Sequence, residues 1–202
     1  MNKSKGFTLI ELLIVVAIIA ILAMIAVPNF LEAQVRSKIS RIKSDMRSLA
    51  TAIEAYTVDH NEPPPGQDDY NLEITPGVGN LEANEMAQRH LTTPIAYIAS
   101  LPKDAFYAQI GDTIGRTIFV YMRFDSNDSG NYLKDFQLGY TWGLQSKGPA
   151  AVMVPALYGM HATIARADGL NGIYDPTNGT VSVGVIIRTN KGMLDGSSPQ
   201  YH

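Results

Sequence analysis

KGFTLIELLIVVAIIAILAMIAVP, residues 5–28, decides how the rest of the chain is read. Leu12 to Val27 is a run of 16 consecutive apolar residues, and between Phe7 and Val27 the one charge is Glu11. As a helix rising about 1.5 Å per residue, this stretch reaches roughly 30 Å, one hydrocarbon core. Lys3 and Lys5 precede it, which predicts a cytoplasmic N-terminus and a chain whose bulk lies outside the cytoplasm. A cleaved secretory signal would place a small-x-small site after the run. Here Ala26-Val27-Pro28 stands instead, and the apolar character passes into an amphipathic pattern. Glu11 is then the anomaly. A carboxylate in hydrocarbon costs about 2.5–3.5 kcal/mol on insertion scales, so it needs either the interface or a positive partner.

Pro28 removes a backbone donor and is expected to bend or loosen the helix rather than end it. Beyond it, Val35, Ile39, Ile42, Met46, Leu49, Ile53 and Tyr56 recur at spacings of four and three, one continuous apolar stripe. Arg36, Lys38, Arg41, Lys43 and Arg47 lie off the stripe. They suit either a solvated face or contact with lipid headgroups or acidic neighbours. No Gly or Pro interrupts residues 29–62, and Pro63-Pro64-Pro65-Gly66 closes the element. A helix from Phe7 to Asp59 would be about 80 Å long. The heptad spacing would also suit a coiled coil. The stripe leads straight into a globular composition, so the chain's own C-terminal sheet is the expected partner.

The 202 residues carry a formal net charge of −3, which argues against binding driven by nucleic-acid phosphates. There is no cysteine, so disulfides, thiol catalysis and thiolate zinc sites are excluded. From residue 61 onward 14 acids face 9 bases, the mark of a solvated end opposite a membrane-facing one. Residues 63–79 read as a Pro-, Gly- and Asp-rich loop, and Leu81–Leu91 as a short helix with Asn80 as its cap. Thr117–Phe124, Phe136–Leu144 and Thr180–Arg188 read as strands, with 125–131 as a turn between the first two. The expected fold class is α+β: a long N-terminal helix on a small antiparallel sheet.

Lys5-Gly6-Phe7-Thr8-Leu9-Ile10-Glu11 closely resembles the prepilin motif shared by type IV pilins and type II secretion pseudopilins. The resemblance implies cleavage by a membrane prepilin peptidase between Gly6 and Phe7, with N-methylation of Phe7. It also implies that Glu11 meets the new N-terminal amine of a neighbouring subunit during assembly. Pro28 falls where the family often carries a helix-kinking proline. Residues 1–6 would be the leader, 7–28 the transmembrane and assembly helix, 29–62 its amphipathic continuation and 63–202 a periplasmic head. Leu91-Thr92-Thr93-Pro94, Ile98 to Asp104, Ser146-Lys147-Gly148-Pro149 and Tyr174 to Thr180 resemble segments of the major (G-type) pseudopilin. The match is strong over residues 5–62 and patchy after that.

Major pseudopilins often hold calcium in a C-terminal loop, but Ala150 stands where an Asp is usual. Asp168 and Asp175 remain as ligand candidates. Asp125 and Asn127 begin an oxygen-ligand loop, yet Phe136 occupies the closing Glu position. Asp and Asn form turns far more often than metal sites, so no metal or other cofactor is assigned. His60, His90, His161 and His202 show no metal-ligand spacing, and neither a nucleophile elbow nor a phosphate loop occurs, so no enzyme is read.

The resulting expectation is a structural subunit of a type II secretion-like pseudopilus in the bacterial inner membrane. Its partners would be copies of itself, minor pseudopilins, the prepilin peptidase, the inner-membrane assembly platform and membrane lipid. A surface type IV pilin or a minor pilin is the alternative within the class. A single-pass membrane-anchored binding protein that never polymerises is the alternative outside it.

Overall fold

The computed structural model describes residues 7–66, 80–106, 118–128, 130–149, 173–175, 182 and 184–194. Helix α1 spans Leu9–His60, 52 residues in one continuous element. Helix α2 spans Asn80–Arg89, strand β1 Val120–Arg123 and helix α3 Gly130–Gln137. Strands β2 (Trp142–Ser146), β3 (Ile186–Thr189) and β4 (Gly192–Leu194) follow.

The chemistry of both ends of α1 explains its length. Thr8 caps the start in an extended conformation. Asn61 closes the other end in the left-handed region at φ 61°, which Asn tolerates better than most residues, and three prolines follow it. Helix α1 therefore ends at His60, one residue beyond the expected Asp59. Pro28 lies inside the helix and does not terminate it.

The four strands form one antiparallel sheet in the order β1-β2-β3-β4. Tyr121 faces Leu144 across β1 and β2, Leu144 faces Arg188 across β2 and β3, and Arg188 faces Met193 across β3 and β4. Alternation along β1 sends Tyr121 to one face of the sheet, and Val120 and Met122 to the other. Tyr121, Trp142, Leu144 and Ile186 pack with Ile39, Ile42, Met46, Leu49, Ile53 and Tyr56 of α1. Val120, Met122 and Ile187 pack on the opposite side, where Tyr132 and Phe136 of α3 close the layer. The sheet is thus covered on both faces, so β2 is buried at every position.

All six residues of the heptad stripe from Ile39 to Tyr56 are buried, and Val35 packs at its lower edge. The partner is the chain's own sheet, as the composition predicted, and the α+β architecture is the one expected. Each fully buried Leu or Ile contributes about 1.5–3 kcal/mol by removal from water. Polar ties fix the docking angle. Trp142 Nε1 donates to Glu54 at 3.1 Å, Arg123 pairs with Glu62 at 3.0 Å, and Tyr97 donates to Asp59 at 2.7 Å.

The second expected strand needs correction. Phe136 and Gln137 belong to α3, and the strand runs Trp142–Ser146 rather than Phe136–Leu144. Tyr132 and Phe136 are four apart, so a helix stacks them one turn apart on the second core layer, where a strand would hold them about 13 Å apart. The Asp125 turn is correspondingly shorter, because α3 begins at Gly130. The first expected strand contracts to Val120–Arg123, with Ile118 making only an isolated bridge to Lys103. The third begins at Ile186, not Thr180. Val185 bridges to Ile173 instead, and residues 180, 181 and 183 lie outside the described set. Strand β4 was not anticipated. It is three residues long and turns back at Asn190 and Lys191.

Candidate assembly site on helix α1

The lower half of α1 is bare. From Leu9 to Leu31 every large apolar residue is exposed, Met24 and Leu9 by 77% and 87%. Among the described residues this is the one helix long and apolar enough to cross a membrane, and none of its most apolar window is covered by the rest of the chain. A soluble monomer does not leave an apolar surface of this extent in water, so lipid or other helices must cover it.

Glu11 sits in the first turn of this bare segment. Thr8 and Glu11 form a reciprocal capping box. The Thr8 N–H donates to Glu11 Oε2 at 2.8 Å and the Thr8 hydroxyl donates to the same oxygen at 2.6 Å, while the Glu11 N–H donates to Thr8 Oγ1 at 3.3 Å. Two orphan donors of the helix start are thereby satisfied, and the carboxylate lies where the helix dipole favours negative charge. The box offsets part of the cost of placing Glu11 near hydrocarbon. It engages Oε2 only, and Oε1 accepts no hydrogen bond from a described residue. Thr8 is the residue that the sequence reading passed over. Its signal was present as Thr-x-x-Glu ahead of an apolar run.

The other expected positions fall as follows. Phe7 precedes the cap and is 75% exposed, while Gly6 lies outside the described residues. Pro28 stands within the exposed half. Above it, the face of α1 turned away from the head carries Ala33, Ser37, Ser40, Ser44, Ser48, Thr51 and Ala55, all exposed and none charged. Ser48 and Thr51 return their hydroxyls to carbonyls one turn back, Ser44 at 3.3 Å and Arg47 at 3.1 Å. Such a face lets another helix approach closely, with the Ser48 and Thr51 hydroxyls already satisfied.

Among the described residues the calcium candidates do not converge. Asp125 Oδ1 accepts the Asn127 N–H at 2.7 Å, Asp125 Oδ2 lies 3.8 Å from the Arg123 guanidinium, and Asp128 Oδ2 accepts the Asp125 N–H. The carboxylates serve the turn itself. The Asp175 N–H donates to Ser182 Oγ at 2.9 Å, and Asp168 lies outside the described residues. Among the described residues no three His, Asp or Glu side chains gather as a metal site would require.

Residues 1–27 match the family model described as the prokaryotic N-terminal methylation motif. The type IV major pilin protein PilA of Myxococcus xanthus is 35% identical over 114 residues, covering 52% of this chain and 51% of that protein. The type IV major fimbrial protein FimA of Dichelobacter nodosus is 53% identical over 61 residues, 30% of this chain and 39% of FimA. The type IV wide pilus major component PilA4 of Thermus thermophilus is 46% identical over 61 residues, 30% of this chain and 47% of PilA4. The chain thus spans about half or less of the length of these relatives. No solved structure matches. In its methylation motif and N-terminal helix the chain is similar to type IV pilins, and these likenesses support a type IV pilin-like family. They do not distinguish pilus from pseudopilus.

Proposed function

We propose that the chain is a structural filament subunit that polymerises through α1 after cleavage between Gly6 and Phe7 and methylation of Phe7. The observation that carries this reading is the exposed apolar half of α1, continuous with the spine of a folded head. In the unassembled subunit the bilayer would cover that half, with the N-terminus cytoplasmic and the head in the periplasm. In the filament, neighbouring copies of α1 would cover it. The role is mechanical rather than catalytic.

Cleavage would free the Phe7 amine one residue ahead of the Thr8 cap. A positive amine at a helix start opposes the dipole, so it gains from a carboxylate. Glu11 Oε2 is held by Thr8, and Oε1 is left to take the amine of an adjacent copy. Intact-mass and fragment spectra of the chain taken from bacterial membranes test the processing. The expected chain begins at N-methyl-Phe7, and a chain that still begins at Met1 would contradict it.

Two kinds of filament fit. The relatives are named as pilus and fimbrial subunits, which favours a surface fibre. The Leu91–Pro94, Ile98–Asp104 and Ser146–Pro149 fragments resemble the major pseudopilin, which favours a secretion pseudopilus with minor pseudopilins and an inner-membrane platform. Deleting the gene separates them. Loss of surface fibres with normal secretion supports the pilus, and periplasmic accumulation of exported proteins supports the pseudopilus.

A further inference from the structure

The five basic residues that follow the apolar run are not equivalent. Lys43 Nζ stands 6.0 Å from the Tyr174 ring, Arg47 lies within electrostatic reach of Arg188, and Arg36 within reach of Tyr174. Arg36, Lys38 and Arg41 stand lower. Arg36 pairs with Glu32 and Arg41 with Asp45 at 3.6 Å, yet the two arginine side chains stay 69% and 75% exposed. Lys38 has no ion pair with a described residue. At about 100° per residue, Arg36 falls on one flank of the buried stripe and Lys38 and Arg41 on the other.

Their height matters as much as their charge. Leu31 is the last residue of the exposed apolar run. A rise of about 1.5 Å per residue puts Arg36 roughly 7 Å, Lys38 roughly 10 Å and Arg41 roughly 15 Å beyond it. A headgroup layer is about 5–8 Å deep on each side of the hydrocarbon. Helical side chains lean toward the N-terminus, here toward the bilayer, which brings these cations down onto that layer. Lys43 and Arg47, roughly 18 and 24 Å out, are beyond a screening length of about 8–10 Å from it.

We propose that Arg36, Lys38 and Arg41 form a collar that binds anionic phospholipid headgroups in the leaflet from which the head emerges. The collar sets the height of the unassembled subunit. The proposal rests on α1 being a membrane anchor up to Leu31. Lipid phosphate is favoured over an acidic face of a second copy because α1 is one unbroken helix and holds the collar against the membrane surface before any copy arrives. Each cation near such a surface contributes up to about fivefold in preference.

The test uses the full chain in nanodiscs of equal phosphatidylcholine and phosphatidylglycerol, with retained lipid counted by native mass spectrometry. The wild type is expected to retain phosphatidylglycerol in excess. A variant carrying Arg36→Gln, Lys38→Gln and Arg41→Gln should retain both lipids equally. A Lys43→Gln, Arg47→Gln variant should keep the excess. Equal retention by the wild type, or an unchanged excess in the triple variant, would overturn the proposal. So would a triple variant that loses self-association while its lipid preference is unchanged, since the collar would then serve a second copy. Emission from buried Trp142 reports that the heads remain folded. Insertion into pure phosphatidylcholine nanodiscs is scored separately, because it depends on the anchor and not on the collar.

Discussion

Thr8 and Glu11 show how two side chains reconcile a charge with the start of an apolar helix. The carboxylate does not wait unpaired for a neighbour; it is bonded to its own helix start. Replacing Thr8 by Ala should cost about 1 kcal/mol at the N-terminus of α1, seen as faster amide exchange at the first turn, whereas Ser should largely restore protection. Glu11→Ala should insert into membranes as well as the wild type but fail to assemble. Normal fibres from that variant would remove the pairing argument. In the head, Trp142 donates to Glu54 across the contact between α1 and the sheet. Glu54→Ala leaves a buried indole N–H without its acceptor, so a loss of about 1–3 kcal/mol is expected in denaturation followed by Trp fluorescence. Glu11 was legible from the motif, because one charge in an apolar run demands an account. Glu54 was not, because its partner is 88 residues away and only the fold brings them together.

At the scale of elements, α1 is one helix with two surfaces, bare and apolar in its lower half and packed on the sheet in its upper half. Its upper half supplies one wall of the core, so Leu49→Ala should destabilise the head by about 2–5 kcal/mol in chemical denaturation. The same change in the exposed half, Leu22→Ala, should leave the head's stability unchanged. The stripe was readable because a long helix repeats its signal over several turns. The α3 region was not, because eight residues hold barely two turns and Phe, Leu, Tyr and Thr suit a strand as well. What decided it was the second core layer under the sheet, which needs Tyr132 and Phe136 side by side. The junction of α1 and α2 also responds to pH. The Tyr56 ring stacks on His60 at 3.9 Å and meets His90 edge-on at 6.1 Å. Burial first, and then the neighbouring His60, hold His90 below its usual value, while Asp59 is engaged by a Tyr97 phenol that its hydrogen bond pushes up to about 12. A lowered histidine binds its proton better when unfolded. Stability should therefore be full above pH 6.5 and fall as the pH drops toward the depressed value. His90→Gln should flatten that slope between pH 7 and pH 5 in thermal melts, and an unchanged slope would place its origin elsewhere.

For the whole molecule, the sequence already separated an anchor from a head, because uncharged and acidic regions divide sharply along the chain. The way the head closes was beyond its reach. Two layers of core on a four-stranded sheet depend on pairings such as Gln145 with Ile187, more than forty positions apart, which no local period encodes. What unites both halves is that α1 leaves one face of itself uncovered along nearly its full length: apolar below, small and uncharged above. A monomer gains nothing from that arrangement in water, and a helical bundle gains close contact along every turn. The most direct measurement is electron microscopy of fibres sheared from cells, with this chain identified by antibody labelling of the head. Label along the whole fibre, and absence of fibres in Glu11→Ala cells whose membranes still hold the subunit, is the predicted result. Wild-type chain found only as single copies in the membrane, with no labelled fibre under any growth condition, would contradict it.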